Sequence, residues 1–421
     1  GEGSVTVINC TFNNNTANYH GGAIRGEVED SSIIVVDSKF KDCKATNGKD
    51  IGSIGCVTLM GNEYDGKHNY TTPGEVFGDS IIDVVPGTFA EVQLWINITE
   101  DKGILDLKNK KYTADETDTT INVNKNITIN GNGAILDANN KFRIFNIING
   151  VNVTLKNINF INGNATGNGG AINTDSSSLT VINSTFTDTT ATQNGGAIFS
   201  SGDVFVIDSS LINTTAFNDG GAISSDANVA VINSSLINTT AFNDGGAISN
   251  YGNVNVLNSI FTNSQAFIGG GVIYTKGNVN VFDSNFRNNT AKEKGGVIYS
   301  NSSSSILVTN STFTDTIANE GGVINGYNIA VMSSNFTNNI ANNTGGAIFG
   351  KNVTVIDSNF KDTAAINTDG GAIAGKDVMV MDSNFINTKA TGQYSKGGAI
   401  YACEGSANII NSAFTNITTH R

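Results

Sequence analysis

The side chains able to do chemistry fall into columns. Aspartates recur at Asp208, Asp283, Asp357 and Asp382, each just before a serine, and at Asp188, Asp315 and Asp362, each two residues past a phenylalanine. A third set, Asp219, Asp244 and Asp369, stands immediately before a Gly-Gly pair. Glycoside hydrolysis needs two carboxylates facing each other across a sugar, and polysaccharide cleavage by elimination needs a base beside a metal or a basic cluster. Acids that return at one place in every repeat, and exchange there with Asn, are expected to be turn residues instead. His20, His68 and His420 each stand alone. The expectation is therefore no enzyme and no cofactor, with one candidate exception. The Asp219, Asp244 and Asp369 column could hold calcium, whose ligands are oxygens. Against it, Lys294 and Glu320 interrupt the column and no Gly-Gly-x-Gly-x-Asp nonapeptide is present. Cys10, Cys43, Cys56 and Cys403 have no metal-ligand spacing; Cys43 and Cys56 are candidates for a disulfide across a bend or for buried thiols.

Asparagine supplies the remaining candidate chemistry. The sequon Asn-x-Ser/Thr occurs at Asn69, Asn97, Asn126, Asn152, Asn164, Asn213, Asn238, Asn288, Asn301, Asn342, Asn352 and Asn416, a set of potential glycan acceptors in a secreted chain. Further sequons at Asn183, Asn233 and Asn310 lie in a bend expected to shield them. Asn173-Thr174-Asp175 is similar to one piece of the polygalacturonase signature, but the paired aspartates, the Gly-His-Gly and the Arg-x-Lys that complete it are missing.

The elements that position these residues follow from a repeat. The tetrad Gly-Gly-(Ala/Val)-Ile begins at Gly21 and, from Gly169 to Gly397, returns every 24 to 27 residues. A second motif, (Asn/Asp)-Ser-x-(Phe/Leu), keeps pace at Leu211, Leu236, Phe261, Phe286, Phe313, Phe360, Phe385 and Phe414, with Phe336 behind Ser333. A third, Val-x-Val, precedes it at Val204/Val206, Val229/Val231, Val254/Val256, Val279/Val281 and Val353/Val355. Three short apolar segments of period two per repeat read as three strands, and no segment has the helical spacing of a crossover. Asn or Asp at the bend and the paired glycines suit positive φ. The fold class expected is all-β: a parallel β-helix, a three-sided solenoid with about 25 residues per coil. Its right-handedness is an expectation from known folds. The inward serine of each coil needs a hydrogen-bond partner, and Cys10 occupies that slot in the first coil.

Composition agrees. Only 14% of the 421 residues are charged and 38% are hydrophobic, too little charge for a chain that stays open by repulsion. A net charge of −13 excludes nucleic acid as a partner, and no apolar run approaches the roughly 18–20 residues of a membrane span. The outward positions, such as Asn253, Asn255, Asn278, Asn280 and Thr354, are expected to leave no large apolar patch. The opening GEGSVTVINCTF starts inside a strand-like pattern, which predicts a fragment of a longer protein.

The period lapses between about 57 and 120. There Thr88-Phe89-Ala90-Glu91 has the form of a capping box, and Phe89, Val92 and Trp95 or Ile96 share one helical face, which predicts a short helix over 89–97. The expected division is 1–60 as terminal coils of an upstream β-helix segment and 61–87 as a linker or insert with Pro73 and Pro86. It continues with 88–102 as the capping helix and its lead-in, and 103–421 as the main parallel β-helix.

Gly-Gly-Ala-Ile together with Phe-x-x-Asn, present at Phe12/Asn15, Phe286/Asn289 and Phe336/Asn339, resembles the chlamydial polymorphic outer-membrane-protein repeat. The chain also resembles the adhesin-like cell-surface β-helix proteins of methanogenic archaea. That likeness runs through Gly87-Thr88-Phe89, Asn130-Gly131-Asn132-Gly133 and Phe142-Arg143-Ile144-Phe145-Asn146. It implies an extracellular, cell-surface protein with a structural or adhesive role. Its expected partners are surface glycans or neighbouring cell-surface proteins, with self-association or end-to-end stacking of modules, and no membrane span in this segment. The competing reading is a carbohydrate-active β-helix enzyme, a polysaccharide lyase or hydrolase or a tailspike-like protein.

Overall fold

The bends come first, because they decide where each strand ends. In the computed structural model, which describes residues 3–27, 31–67, 76–78 and 80–419, the bend residues sit at positive φ. Asn183, Asp208, Asn233, Asn258 and Asp283 have φ of 47–52°, and Asp188, Asn213, Asn238, Asn263 and Asn288 have φ of 53–57°. These short amide and carboxylate side chains tolerate the left-handed region that branched residues avoid. The first glycine of each tetrad does the same, as at Gly220 and Gly245, with φ of 67° and 68°. Each coil thus carries three left-handed corners at fixed sequence positions.

Between corners the strands stack in parallel register. Val204–Ile207 pairs with Val229–Ile232 and this with Val254–Leu257. Ser210–Ala216 lies on Ser235–Ala241, placing Leu211 on Leu236 and Ala216 on Ala241. Ile198–Ser200, Ile223–Ser225 and Ile248–Asn250 form the third side. Beyond Ser235–Ala241 the second side breaks at its bend into two short strands, as in Ile260–Thr262 and Gln265–Ala266. The protein is all-β, built of about 16 parallel β-solenoid turns of about 25 residues each, with one helix among the described residues. Among the described residues no helix is long and apolar enough to cross a membrane.

Alternation fills the core. Val204, Val206, Leu211 and Ala216 are fully buried while residues on either side of each are more exposed, and Ala222 and Ile223 lie in a run, 220–225, that is buried throughout. The serine of the (Asn/Asp)-Ser-x-Phe motif also faces in and is bonded twice. The Ser209 hydroxyl donates to the Ile207 carbonyl (2.7 Å) and the Ser184 N–H of the preceding coil donates to the Ser209 oxygen (3.1 Å). The same pair of bonds recurs at Ser234, Ser259 and Ser284. A hydroxyl that both donates and accepts is what this slot requires, which is why a small polar residue is buried in an apolar column. In the first coils the slot passes from Cys10 to Ser38 to Asn62, whose amide nitrogen donates to the Val35 carbonyl.

The chain divides into two compact units, residues 1–99 with 115–119, and residues 100–114 with 120–421. In the first, Ser4–Ile8, Ser32–Val36, Cys56–Met60 and Ser80–Asp83 form one parallel side, and two three-stranded sides complete the coils. The stretch read as linker, 61–87, therefore carries Glu63–Tyr64, Val76–Phe77 and Ser80–Asp83, each paired to the coil before it. These coils keep the inward apolar residues but lose the glycine tetrad. Pro73 lies outside the described residues.

The helix spans Phe89–Ile98, with Phe89, Val92, Leu94 and Ile96 buried and Trp95 half-buried. Leu94 packs with Val36, Met60 and Val84 of the first unit. Thr88 is the N-cap residue, but its hydroxyl donates to the Val85 carbonyl, and Glu91 accepts from Gly87 N–H at 2.5 Å. The first-turn N–H groups of Phe89 and Ala90 donate instead to the Asp118 carboxylate, at 3.1 and 2.8 Å. A capping box was expected; a carboxylate about 30 residues downstream does its work, and anionic charge suits a helix N-terminus.

Candidate functional site

The recurring acids are occupied by structure. Asp188, Asp208, Asp283, Asp315, Asp357, Asp362 and Asp382 all have positive φ, between 49° and 56°. Five of these carboxylates accept an amide from the next coil, as Asn213 on Asp188 (2.9 Å), Asn233 on Asp208 (3.0 Å), Asn310 on Asp283 (2.6 Å), Asn338 on Asp315 (2.6 Å) and Asn387 on Asp362 (2.8 Å), while Asp357 accepts the Ser333 hydroxyl of the preceding coil (3.0 Å). Asn on Asn continues the same ladder, as at Asn238 on Asn213 and Asn263 on Asn238. Asn and Asp are interchangeable here because the position asks for an acceptor and a left-handed backbone. Asp175, within the polygalacturonase-like triplet, is likewise a turn acid. Burial works to raise it, but the N–H groups of Gly150 and Asn149 and the Ser177 hydroxyl hold it below the usual carboxylate range.

The column before the glycine pairs behaves differently. Asn194 N–H donates to Asn168, Asp219 N–H to Asn194, Asp244 N–H to Asp219 and Gly269 N–H to Asp244, at 2.8–3.2 Å. Burial raises Asp219, and it raises Asp244 to about 6, with Gly269 N–H opposing and Asp219 and Glu293 adding repulsion. Between the ordinary 3.8 and about 6, the folded chain keeps a proton that the unfolded chain has released, so stability falls as pH rises through that window. Asn already serves at Asn168 and Asn194, so Asp244→Asn keeps the acceptor and removes the charge. D244N is expected to melt above the parent at pH 7.5, with the difference vanishing near pH 4, read from thermal unfolding against pH. An offset independent of pH would show that the charge is not the cause. Among the described residues, no group of three or more His, Cys, Asp or Glu is placed to hold a metal ion.

The sequons separate by what their amides do. Asn213, Asn238, Asn288, Asn352 and Asn416 are exposed, but each donates its amide to the preceding coil at 2.7–3.0 Å. Asn126 donates to Asp101, Asn164 to the Asn140 carbonyl and Asn301 to the Tyr274 hydroxyl, while Asn97 accepts from Gln93. Asn183, Asn233 and Asn310 are exposed and amide-paired, so ladder bonding rather than burial shields them. Asn152 and Asn342 are exposed with no side-chain hydrogen bond among the described residues. Asn69, His68 and His420 lie outside the described residues. His20 stacks on Phe77, 5.7 Å between centroids, and the four cysteines are free thiols.

The Phe-x-x-Asn motif also resolves into structure. Asn289 accepts Ser264 N–H at 2.9 Å and donates to the Phe261 carbonyl at 3.1 Å; Asn339 makes the equivalent bonds to Thr316 and Phe313. Both are fully buried. Arg143 pins the next glycine turn by donating to the carbonyls of Asn168 and Gly169.

Two surface features escaped the sequence reading. Phe217, Phe242 and Phe267 are 40–51% exposed and stacked 5.0–5.1 Å apart, so the outer face is not polar throughout. The near-duplicate Leu211–Ser225 and Leu236–Asn250 segments carried that signal, but not which way the rings point. The other is a trough over Gly350 and Gly375, described below. Its sequence mark is the change from Thr275 and Ser300 to Gly326, Gly350 and Gly375 at one inward position.

Two stretches of the chain match the repeat of the Chlamydia polymorphic membrane protein, residues 9–27 and 283–301. Each runs from a left-handed bend residue, Asn9 or Asp283, through the stacked Phe12 or Phe286, to the left-handed Gly21 or Gly295. The likeness therefore lies in the coil-forming positions. Among curated proteins no relative matches. A crystal structure of PfbA, a surface adhesin of Streptococcus pneumoniae, is similar over 93% of this chain and 85% of that one, at 14% identity and a TM-score of 0.27. Likeness at that level transfers neither function nor a site.

Proposed function

We propose that this chain is a non-catalytic adhesive and structural β-solenoid of a cell surface, of the adhesin-like kind resembled in methanogenic archaea. The observation that carries this reading is the use of the recurring acids: they close bends and ladders, while the exposed faces, the Phe217–Phe242–Phe267 stack apart, are built largely from Asn, Ser and Thr. Such faces hydrogen-bond sugar hydroxyls without strong charge. The repeat shared with a bacterial membrane-protein family supports a place at the cell surface. The partners are surface glycans or neighbouring surface proteins, engaged through many weak contacts whose sum is avidity. End-to-end stacking of modules belongs to the same reading. No cofactor is required, so a chelator leaves the melting temperature unchanged. Among the sequons, Asn152 and Asn342 are the best acceptors, because modification there breaks no ladder.

The test is retention of beads coated with the full chain on cell-wall polysaccharide, with reducing ends assayed in the same wells. Retention without new reducing ends is expected. Release of reducing sugar that is lost on changing one aspartate outside the repeat columns would establish the enzyme reading instead. Peptide mapping of native material for glycan at Asn152 and Asn342 decides the glycoprotein claim.

A further inference from the structure

Between Ile324 and Met381 the third and first sides of the coil run together. Ile324–Met332, Ile348–Ile356 and Ile373–Met381 are single nine-residue strands, stacked with Gly326 on Gly350 on Gly375. The glycines face the core. A Cβ on Gly350 would meet Ile329 Cδ1 at 2.6 Å, and one on Gly375 would meet Val378 Cγ2 at 3.0 Å. A trough of about 520 Å³ lies over these glycines, where no side chain fills the space. Phe349 and Tyr401 line it on the side before the glycine column and Lys351 and Lys376 on the side after it, with Thr344 and Asp369 also in the lining.

Register gives the trough its particular chemistry. Phe349 pairs with Ala374, and Ala374 with Tyr401, so two aromatic residues flank an alanine in one column. Two strand spacings separate them, about 9–10 Å. Phe rings in neighbouring rungs elsewhere in this protein stack at 4.5–5.1 Å, leaving no space for a guest. Here one rung lacks its ring: Ala374 is covered, at 1% exposed, and the half-buried Phe349 and Tyr401 must part for a guest to lie between them. A flat guest with two apolar faces restores the missing rung.

The polar groups select among such guests. Lys396 Nζ lies 5.9 Å over the Tyr401 ring, Lys351 Nζ lies 4.4 Å over Tyr327, and Lys376 makes no ion pair among the described residues. Against these three cations stand Asp369, one of whose oxygens already accepts Lys396 N–H, and Glu404. Asp377, next to Lys376, is held by Ser406, and the lining itself carries two lysines against one carboxylate in a chain of net charge −13. A pyranose presents C–H faces to aromatic rings and hydroxyls to a carboxylate, and a uronic acid adds the anion that the lysines attract.

We propose that this trough is a binding site for an acidic sugar, one pyranose ring lying between Phe349 and Tyr401 and its carboxylate toward Lys376 and Lys351. The proposal rests on the adhesive reading above and assigns it a site and a ligand class.

The experiment is calorimetric titration of the full chain with a tetramer of galacturonic acid at low salt, beside a neutral maltotetraose control. Saturable binding of the acidic tetramer, weakened by salt, is expected. Ala374→Phe fills the gap with the residue that its neighbouring coil already carries at Phe349, and Tyr401→Ala removes a wall. Each should weaken binding roughly tenfold or more, while K376Q should erase the preference for the acidic tetramer. Unchanged melting of A374F shows that the fold is intact. Equal binding of the neutral tetramer, no binding of either, or full affinity in both A374F and Y401A would overturn the proposal. Beads coated with A374F that adhere like the parent would leave the adhesive reading and remove the trough from it. A parent chain that binds the tetramer but does not hold beads would do the reverse.

Discussion

Gly246→Ala is expected to destabilise the chain by about 3 kcal/mol or more, an unusually large effect for one methyl group. The added Cβ would sit 2.1 Å from the Gly271 carbonyl oxygen of the next coil and 2.6 Å from the backbone of Gln265. Neither obstacle is a flexible side chain, so relief requires the parallel register between coils to open. The first glycine of the same pair fails for a second reason: Gly245 has φ of 68°, and a Cβ there meets the Ile248 carbonyl at 2.2 Å. Gly150 separates the two causes. Its φ is 64° but nothing lies within 4 Å of a Cβ, so Gly150→Ala should cost only the left-handed strain, about 1–2 kcal/mol. Urea unfolding of the three variants checks the order. G246A as mild as G150A would mean that the coils separate far more easily than their geometry implies.

The corners and columns were legible because each is one residue type at a fixed step. Asn or Asp at positive φ, the glycine tetrad, the inward serine and the Phe column all follow from a periodic demand repeated coil after coil. Where the demand is met by another residue, the pattern disappears although the coil persists. Ser80–Asp83 pairs with Cys56–Met60 without a tetrad to announce it, so 61–87 read as a linker. The helix was legible from Phe89, Val92 and Ile96, but its cap was not. Asp118 reaches Phe89 and Ala90 through folding, and no local spacing encodes that. The candidate site is least legible of all. The trough depends on a missing ring at Ala374 and missing Cβ atoms at Gly350 and Gly375, and an absence in one column shows only once the coils are aligned.

Phe313→Ala should cost about 3–5 kcal/mol, the range for emptying a fully buried aromatic site. Phe313 has no exposed surface and stacks on Phe286 and on Phe336, each at 4.9 Å between centroids. Removing it breaks two ring contacts as well as leaving a cavity, and the rigid coil spacing on either side prevents collapse into the gap. Leu already serves in this column at Leu211 and Leu236, so Phe313→Leu should stay within about 1.5 kcal/mol. Position along the solenoid matters too. Phe414 is 40% exposed and contacts Phe385 on one face, so Phe414→Ala should be far milder than F313A. Because each coil touches only its neighbours, weakening one central interface lets the coils on its two sides unfold separately. F313A should therefore broaden or split the urea transition as well as lower its midpoint, whereas F313L shifts it intact. A single sharp transition in F313A, displaced no further than in F414A, would show that the phenylalanine column does not bind the coils into one cooperative stack.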